Sequence, residues 1–295
     1  MAEVATFAMS DQLLVVIDPI ARRRDGESVR IAKDVLSAGA ATKVCLPDSP
    51  DEFARALARR GSRRPVVVGD DRALTRAVTL LHRQRELAEC VLSVVPVGGA
   101  LSLAGSLGVP TGAVAAARAV LEGVERRLDL LVDDSDGVVL GALRIPPVRE
   151  PDVPDDAATL ESGPARPWLR TCQSLVRNLV PALGTAAAGV PGPARLRVEV
   201  DGATLVDLDQ PVEAVSVTPG AAGATGVAAV EVRPASVGAE ASPLLAQGRT
   251  VTVSGAHFRY GADAEVSGPL RRRTWTVGAG GLRLVLPEPG PGPGV

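Results

Sequence analysis

At 295 residues the chain is long for one compact domain and comfortable for two. Hydrophobic residues make up 46% and charged ones 22%, as in globular proteins, and a net charge of −2 excludes a nucleic-acid binder driven by counterion release. Cys45, Cys90 and Cys172 are far apart and form no CxxC pair, which excludes a disulfide framework and a cysteine zinc site and points to reduced thiols in the cytoplasm.

The first ten residues read as a flexible extension, its first eight, MAEVATFA, preceding a second methionine. Gln12 to Asp18, QLLVVID, is a continuous apolar run, the pattern of a parallel strand buried on both faces. A helix follows from Gly26 to Ala38, with Val29, Ala32, Val35 and Leu36 on one face. ATKVCLP is a short strand. SPDEFARALARRG then opens a helix with Ser49 as N-cap, Pro50 at its first position and Glu52 completing a capping box.

RPVVVG is the third strand, and Leu74, Ala77, Val78 and Leu81 stripe the helix after it. CVLSVVPVG is the fourth. Thr111 caps a helix through Val114, Ala117, Val120 and Leu121, which leads to the strand LDLLVDD. Strands alternating with helices of this length imply a mostly parallel sheet. Prolines 146, 147, 151 and 154 mark a linker, followed by one helix, PWLRTCQSLVRNLVPALG. After it come short alternating runs, beginning with ARLRVEVDG, which read as an antiparallel sandwich or open barrel.

The expectation is therefore a two-domain chain. Residues 11–143 form an α/β domain with a mostly parallel sheet, and residues 144–287 a linker, a helix and an antiparallel β-sandwich. Residues 288–295 are a disordered, Pro- and Gly-rich tail.

In an open parallel sheet, ligands bind beyond the carboxyl ends of the strands. Three turns qualify here: IDPIARRRDG, VGDDRAL and VPVGGALSL. Their order and spacing resemble the diacylglycerol kinase catalytic-domain family, which includes bacterial lipid kinases and sphingosine kinases. That family carries N-P-x-x-G in the first turn, G-G-D-G-T in the second and P-x-G-T-G-N-D-F-A, then L-G-I-P, in the third.

In the first turn Asp18 stands for the family's Asn, Pro19 is kept and Arg22 replaces the Gly. In the second, Gly69 and Asp71 are kept, while Asp70, Arg72 and Ala73 replace Gly, Gly and Thr. In the third, Pro96, Gly98, Ala104, Leu107, Gly108, Val109 and Pro110 fit, and Gly99, Ala100, Leu101 and Ser102 take the places of Thr, Gly, Asn and Asp. Further along, RRLDLLV resembles the family's R-x-I-D-L-G strand, and Asp263 and Glu265 match its closing D-G-E. The family's catalytic Asp falls on Ala229.

The resemblance implies a Mg-ATP-dependent kinase acting on a lipid hydroxyl, with nucleotide-facing positions at Asp18, Pro19, Arg22, Gly69, Asp70, Asp71, Arg72, Gly98 and Gly99. Asp71 is the best single candidate for a catalytic or metal-linked role; the metal ligands themselves stay unassigned. Retained groups shape the turns, whereas those that would grip nucleotide are mostly replaced. Side chains at Asp70 and Arg72 restrict the close backbone approach that a phosphate needs.

Two readings from different classes stand beside each other. One is a lipid kinase with weak or lost activity; the other is a pseudokinase that binds lipid, nucleotide or protein. Arg22 to Arg24 are either solvated charges or substitute phosphate ligands. Partners on either reading are a lipid or small anionic ligand, with no nucleic acid, at most peripheral membrane contact, and a homodimer by analogy.

Overall fold

The computed structural model describes residues 12–147, 193–220, 225–235 and 242–288. The expected linker helix in residues 167–184 and both chain ends lie outside them. The first part contains β1 (Leu13–Ile17), α1 (Pro19–Arg24), α2 (Gly26–Gly39), β2 (Thr42–Cys45), α3 (Pro50–Ala58), β3 (Arg64–Gly69) and α4 (Asp71–Arg83). β4 (Val91–Pro96), α5 (Ser102–Ser106), α6 (Ala113–Glu122), β5 (Val124–Asp133), β6 (Val138–Val139) and β7 (Leu143–Ile145) follow. The remainder is strand: β8 (Ala194–Val200), β9 (Ala203–Val206), β10 (Pro211–Pro219), β11 (Ala228–Pro234), β12 (Leu244–Gly248), β13 (Thr250–Ala262) and β14 (Glu265–Leu286).

Local chemistry explains where the helices start. Ser49 Oγ accepts the Glu52 amide at 3.2 Å with Pro50 at the first helical position, as expected for α3. The Glu52 carboxylate closes the box one residue early, accepting the Asp48 amide at 2.9 Å. At α6 the expectation fails: Gly112, not Thr111, is the N-cap, and no side chain caps that helix.

The expected fold class, a mostly parallel α/β sheet followed by an antiparallel sandwich, is corrected by the sheet topology. Among the described residues the strands form one connected sheet of fourteen. Four strand pairings are parallel, linking β2, β1, β3, β4 and β14. The other ten are antiparallel. β5, whose LDLLVDD reads as a strand of a mostly parallel sheet, runs antiparallel to β14.

The cause is the length of β14. Its 22 residues pair with β13 at one end, β5 along the middle and far end, and β4 at the far end. A register shift between Gly278 and Leu282 bends it from one neighbour set to the other. Nor are the antiparallel strands a sandwich. β10 pairs with β7, β7 with β13, β13 with β8 and β8 with β10, a closed, barrel-like ring.

Three apolar clusters hold the chain together, built from aliphatic side chains because aromatics are only 2% of the sequence. Leu14, Val16, Phe53, Leu57, Leu74 and Leu81 pack one face of the parallel strands under α3 and α4. Leu13, Val15, Ile17, Leu36, Ala117 and Val120 pack the other face under α2 and α6. The ring encloses Val198, Val215, Val230, Val251, Tyr260 and Trp275, the last two in edge-to-face contact at 5.2 Å.

Candidate functional site at the three turns

The turns after β1, β3 and β4 meet in space, tied backbone to backbone. The Asp18 amide donates to the Val68 carbonyl, the Val97 amide to the Gly69 carbonyl and the Asp71 amide to the Ala100 carbonyl, each at 2.9 Å. Gly69 is required by this crowding: a Cβ there would lie 2.6 Å from the Ala73 Cβ and 3.0 Å from the Asp18 Cβ. Gly98 turns the third loop with φ +125°, beside the Asp70 side chain. Arg24 reaches across to Gly99, its Nη1 3.2 Å from where a Cβ would stand.

Each turn feeds a helix, and each helix start is filled by a carboxylate of the chain itself. Asp18 Oδ1 accepts the Ile20 amide at 2.8 Å, capping α1. Its Oδ2 receives Arg76 Nη1 at 2.9 Å, which pins α4 to the end of β1. Asp70 Oδ1 accepts the Ala73 amide at 3.1 Å, capping α4. Asp71 reaches over to α5: Oδ2 accepts the Leu103 amide at 2.9 Å and the Ser102 hydroxyl at 3.3 Å, and Oδ1 accepts the Ala104 amide at 3.0 Å.

Asp18 and Asp71 are both almost fully buried. Asp71, the best catalytic candidate by sequence, has both oxygens committed to the backbone of the third turn. Pro19 is buried at the first position of α1. Arg22 is turned towards Asp48 in a salt bridge rather than towards the other turns. Arg72 is exposed and, among the described residues, has no ion pair. ARRR is the last turn of α1, not a loop.

A fourth element faces the turns. Asp263, in the positive-φ turn between β13 and β14, accepts the amides of Leu140 at 2.6 Å and Gly141 at 2.8 Å. Gly141 is tightly enclosed, because a Cβ would sit 3.1 Å from both Asp263 Oδ1 and Leu103 Cδ1. Burial pushes the Asp263 carboxyl up to about 6 against the pull of its two amides, and the Asp71 and Glu265 carboxylates push the same way.

Residues outside the three turns complete the frame. Asp129 on β5 accepts the Gly226 and Gly280 amides, each at 2.7 Å, and so locks the approach to β11 onto β14. Ala229, where the resemblance puts the catalytic Asp, is exposed on β11 opposite Thr218. Arg76 and Gly141 went unnoticed in the sequence; no motif marks either, since each matters through a partner distant along the chain. Among the described residues, no group of three or more His, Cys, Asp or Glu side chains is placed to hold a metal ion. No helix among them is long and apolar enough to cross a membrane.

Against solved structures the chain matches a diacylglycerol kinase from Bacillus anthracis str. Sterne with a TM-score of 0.66, covering 95% of this chain and 98% of that one at 11% identity. The chain shares the diacylglycerol kinase fold. A second structure from the same organism matches at a TM-score of 0.67 and 12% identity, again over 95% and 98% of the two chains. An NAD kinase from Archaeoglobus fulgidus in complex with ATP shares the fold more distantly, at a TM-score of 0.50 and 12% identity over 94% of each chain. No protein-family model matches the chain, and no curated protein sequence does. The likeness expected from the three turns thus holds at the level of the diacylglycerol kinase fold.

Proposed function

We propose that this chain is a diacylglycerol-kinase-type protein that no longer transfers phosphate and serves as a binding module. One observation carries the reading: Asp18, Asp70 and Asp71 occupy the starts of α1, α4 and α5, where the fold would offer amides to a triphosphate. A carboxylate on a helix start satisfies the same donors that a phosphate would take, and it repels an incoming phosphate. Arg24 over Gly99 crowds the remaining glycine of the third turn.

Phosphoryl transfer works by positioning and by electrostatic stabilisation of the transferred group. Ala229 offers no general base, the loss of which alone forfeits on the order of 10²–10⁴ in rate. Mg-ATP and a lipid hydroxyl are the substrates that the resemblance implies, and the seat for the first is the one blocked.

Thermal shift decides the point. Mg-ATP at about a hundred times a working Kd would stabilise a competent site by about 2.7 kcal/mol. The expected result is no shift with Mg-ATP and a shift with vesicles or micelles of an anionic lipid. Radiolabelled phosphate passing from ATP into a lipid extract, and lost in Asp71→Ala, would overturn the proposal in favour of a retained lipid kinase.

A further inference from the structure

Among the described residues β2 is the outermost strand of the sheet and pairs with β1 alone. The Ala41 carbonyl accepts the Leu13 amide at 2.9 Å, so alternation along a parallel strand turns the amides and carbonyls of Thr42 and Val44 away from β1. No strand lies beyond them among the described residues. Beside this edge α3 presents Glu52, Arg55 and Ala56, the i, i+3, i+4 spacing of one helix face, and its C-cap Arg59 continues the row. With Lys43 and Cys45 of β2 they line a groove of about 430 Å³ whose apolar wall includes Leu14 and the half-exposed Leu46. None of its lining residues belongs to the three turns.

The groove is lopsided in charge. Lys43, Arg55 and Arg59 face one carboxylate, Glu52, and that carboxylate already holds the Asp48 amide. Arg55 Nε donates to the Asp51 carbonyl of its own helix at 3.3 Å. Neither Lys43 nor Arg59 has an ion pair among the described residues. We propose that the β2 edge and the α3 groove take an extended acidic segment of a partner protein, added to the sheet as a further strand beside β2.

Spacing and charge both favour this occupant. Arg55 lies in the last turn of α3 and Arg59 is its C-cap four residues on, about 6 Å along the helix axis. Alternate residues on a strand are about 6.6 Å apart and point to the same side. Acidic side chains at every second position would therefore meet the α3 cations in step, while the backbone satisfies the outward groups of Thr42 and Val44. Lys43 on the edge discourages pairing with an apolar or basic strand and so selects for an acidic one. A lipid surface is a poorer match, because the cations line a concavity between a strand and a helix.

Fluorescence anisotropy of a fluorescein-labelled peptide of alternating glutamate and valine, titrated with the full chain, tests the proposal. Expected are saturable binding in the micromolar range and at least about tenfold weaker binding to Lys43→Glu/Arg59→Glu. Both side chains are exposed, so that variant keeps its fold. Slower hydrogen exchange at Thr42 and Val44 in the complex would support strand addition. The same peptide with a central proline, which removes a strand amide, should not bind. Equal binding of the proline peptide, equal binding of a lysine–valine peptide, or capture by phosphatidylserine vesicles with no peptide binding would each overturn it.

Discussion

The carboxylate of Asp71, at the first position of α4, accepts the amide of Leu103 at the start of α5 at 2.9 Å, and its second oxygen takes Ala104. This residue is the natural suspect for chemistry, yet its geometry is that of a clasp between the second and third turns. Asp71→Ala leaves two buried amides without acceptors, each costing about 1–3 kcal/mol. The expected loss is about 2–4 kcal/mol in urea unfolding. An unchanged urea midpoint would show that the clasp contributes nothing to the fold.

Asp70 offers a milder edit. It caps α4 through the Ala73 amide from a partly exposed position. Replacing an N-cap Asp by Gly costs only a few tenths of a kcal/mol, so Asp70→Gly should fold normally and vacate the start of α4. If the cap is what excludes phosphate, Asp70→Gly/Arg72→Gly should gain measurable Mg-ATP affinity by calorimetry over the unmodified chain. Adding Ala73→Thr is the riskier step, because Ala73 is fully buried against the end of β3. Failure of the double variant to gain affinity would place the obstruction elsewhere, with Arg24 over Gly99 the next to remove.

Much of this site was legible from local sequence. Continuous apolar runs such as LLVVI and RPVVVG announced strands buried on both faces, and these pair in parallel register, Val15 with Val66 and Ile17 with Val68. The order of the three turns was enough to expect their convergence. What escaped was non-local. Nothing in GDDRAL says that the Asp71 carboxylate reaches 32 positions along the chain to Leu103. Nothing in RRLDLLV says that β5 will pair with a strand more than a hundred residues later. Because β14 serves three neighbours, the parallel strands never close off as a sheet of their own, a join that local pattern does not announce.

Asp129 illustrates the same non-local economy and gives a localised test. Its two oxygens hold the Gly226 and Gly280 amides, both glycines at positive φ. Asp129→Ala should therefore raise hydrogen exchange at Gly226, Gly280 and the first residues of β11, with a loss of about 2–4 kcal/mol in global stability. Exchange that rises evenly across the chain, with no focus at these amides, would argue against Asp129 as the lock between β5, β11 and β14.

Asp263 should make stability fall as pH rises through the weakly acidic range. Its carboxyl titrates at about 6 in the folded chain, raised by burial and by its neighbours Asp71 and Glu265, against an ordinary value of 3.8. Between those values the folded state holds the proton more firmly than the unfolded state, so the stabilisation is complete below about pH 4 and lost above about pH 6. A shift of about two units corresponds to about 2–3 kcal/mol. Asp263→Asn cannot ionise; it loses part of the Leu140 and Gly141 bonding at every pH but none of it by titration. The unfolding free energies of wild type and Asp263→Asn, compared at about pH 4.5 and about pH 7.5, should therefore differ by an amount that changes by about 2 kcal/mol in favour of the variant at the higher pH. Asp71→Ala should shrink that change by removing a like charge from the neighbourhood. Parallel pH profiles for wild type and Asp263→Asn would mean that the Asp263 carboxylate is as comfortable folded as unfolded.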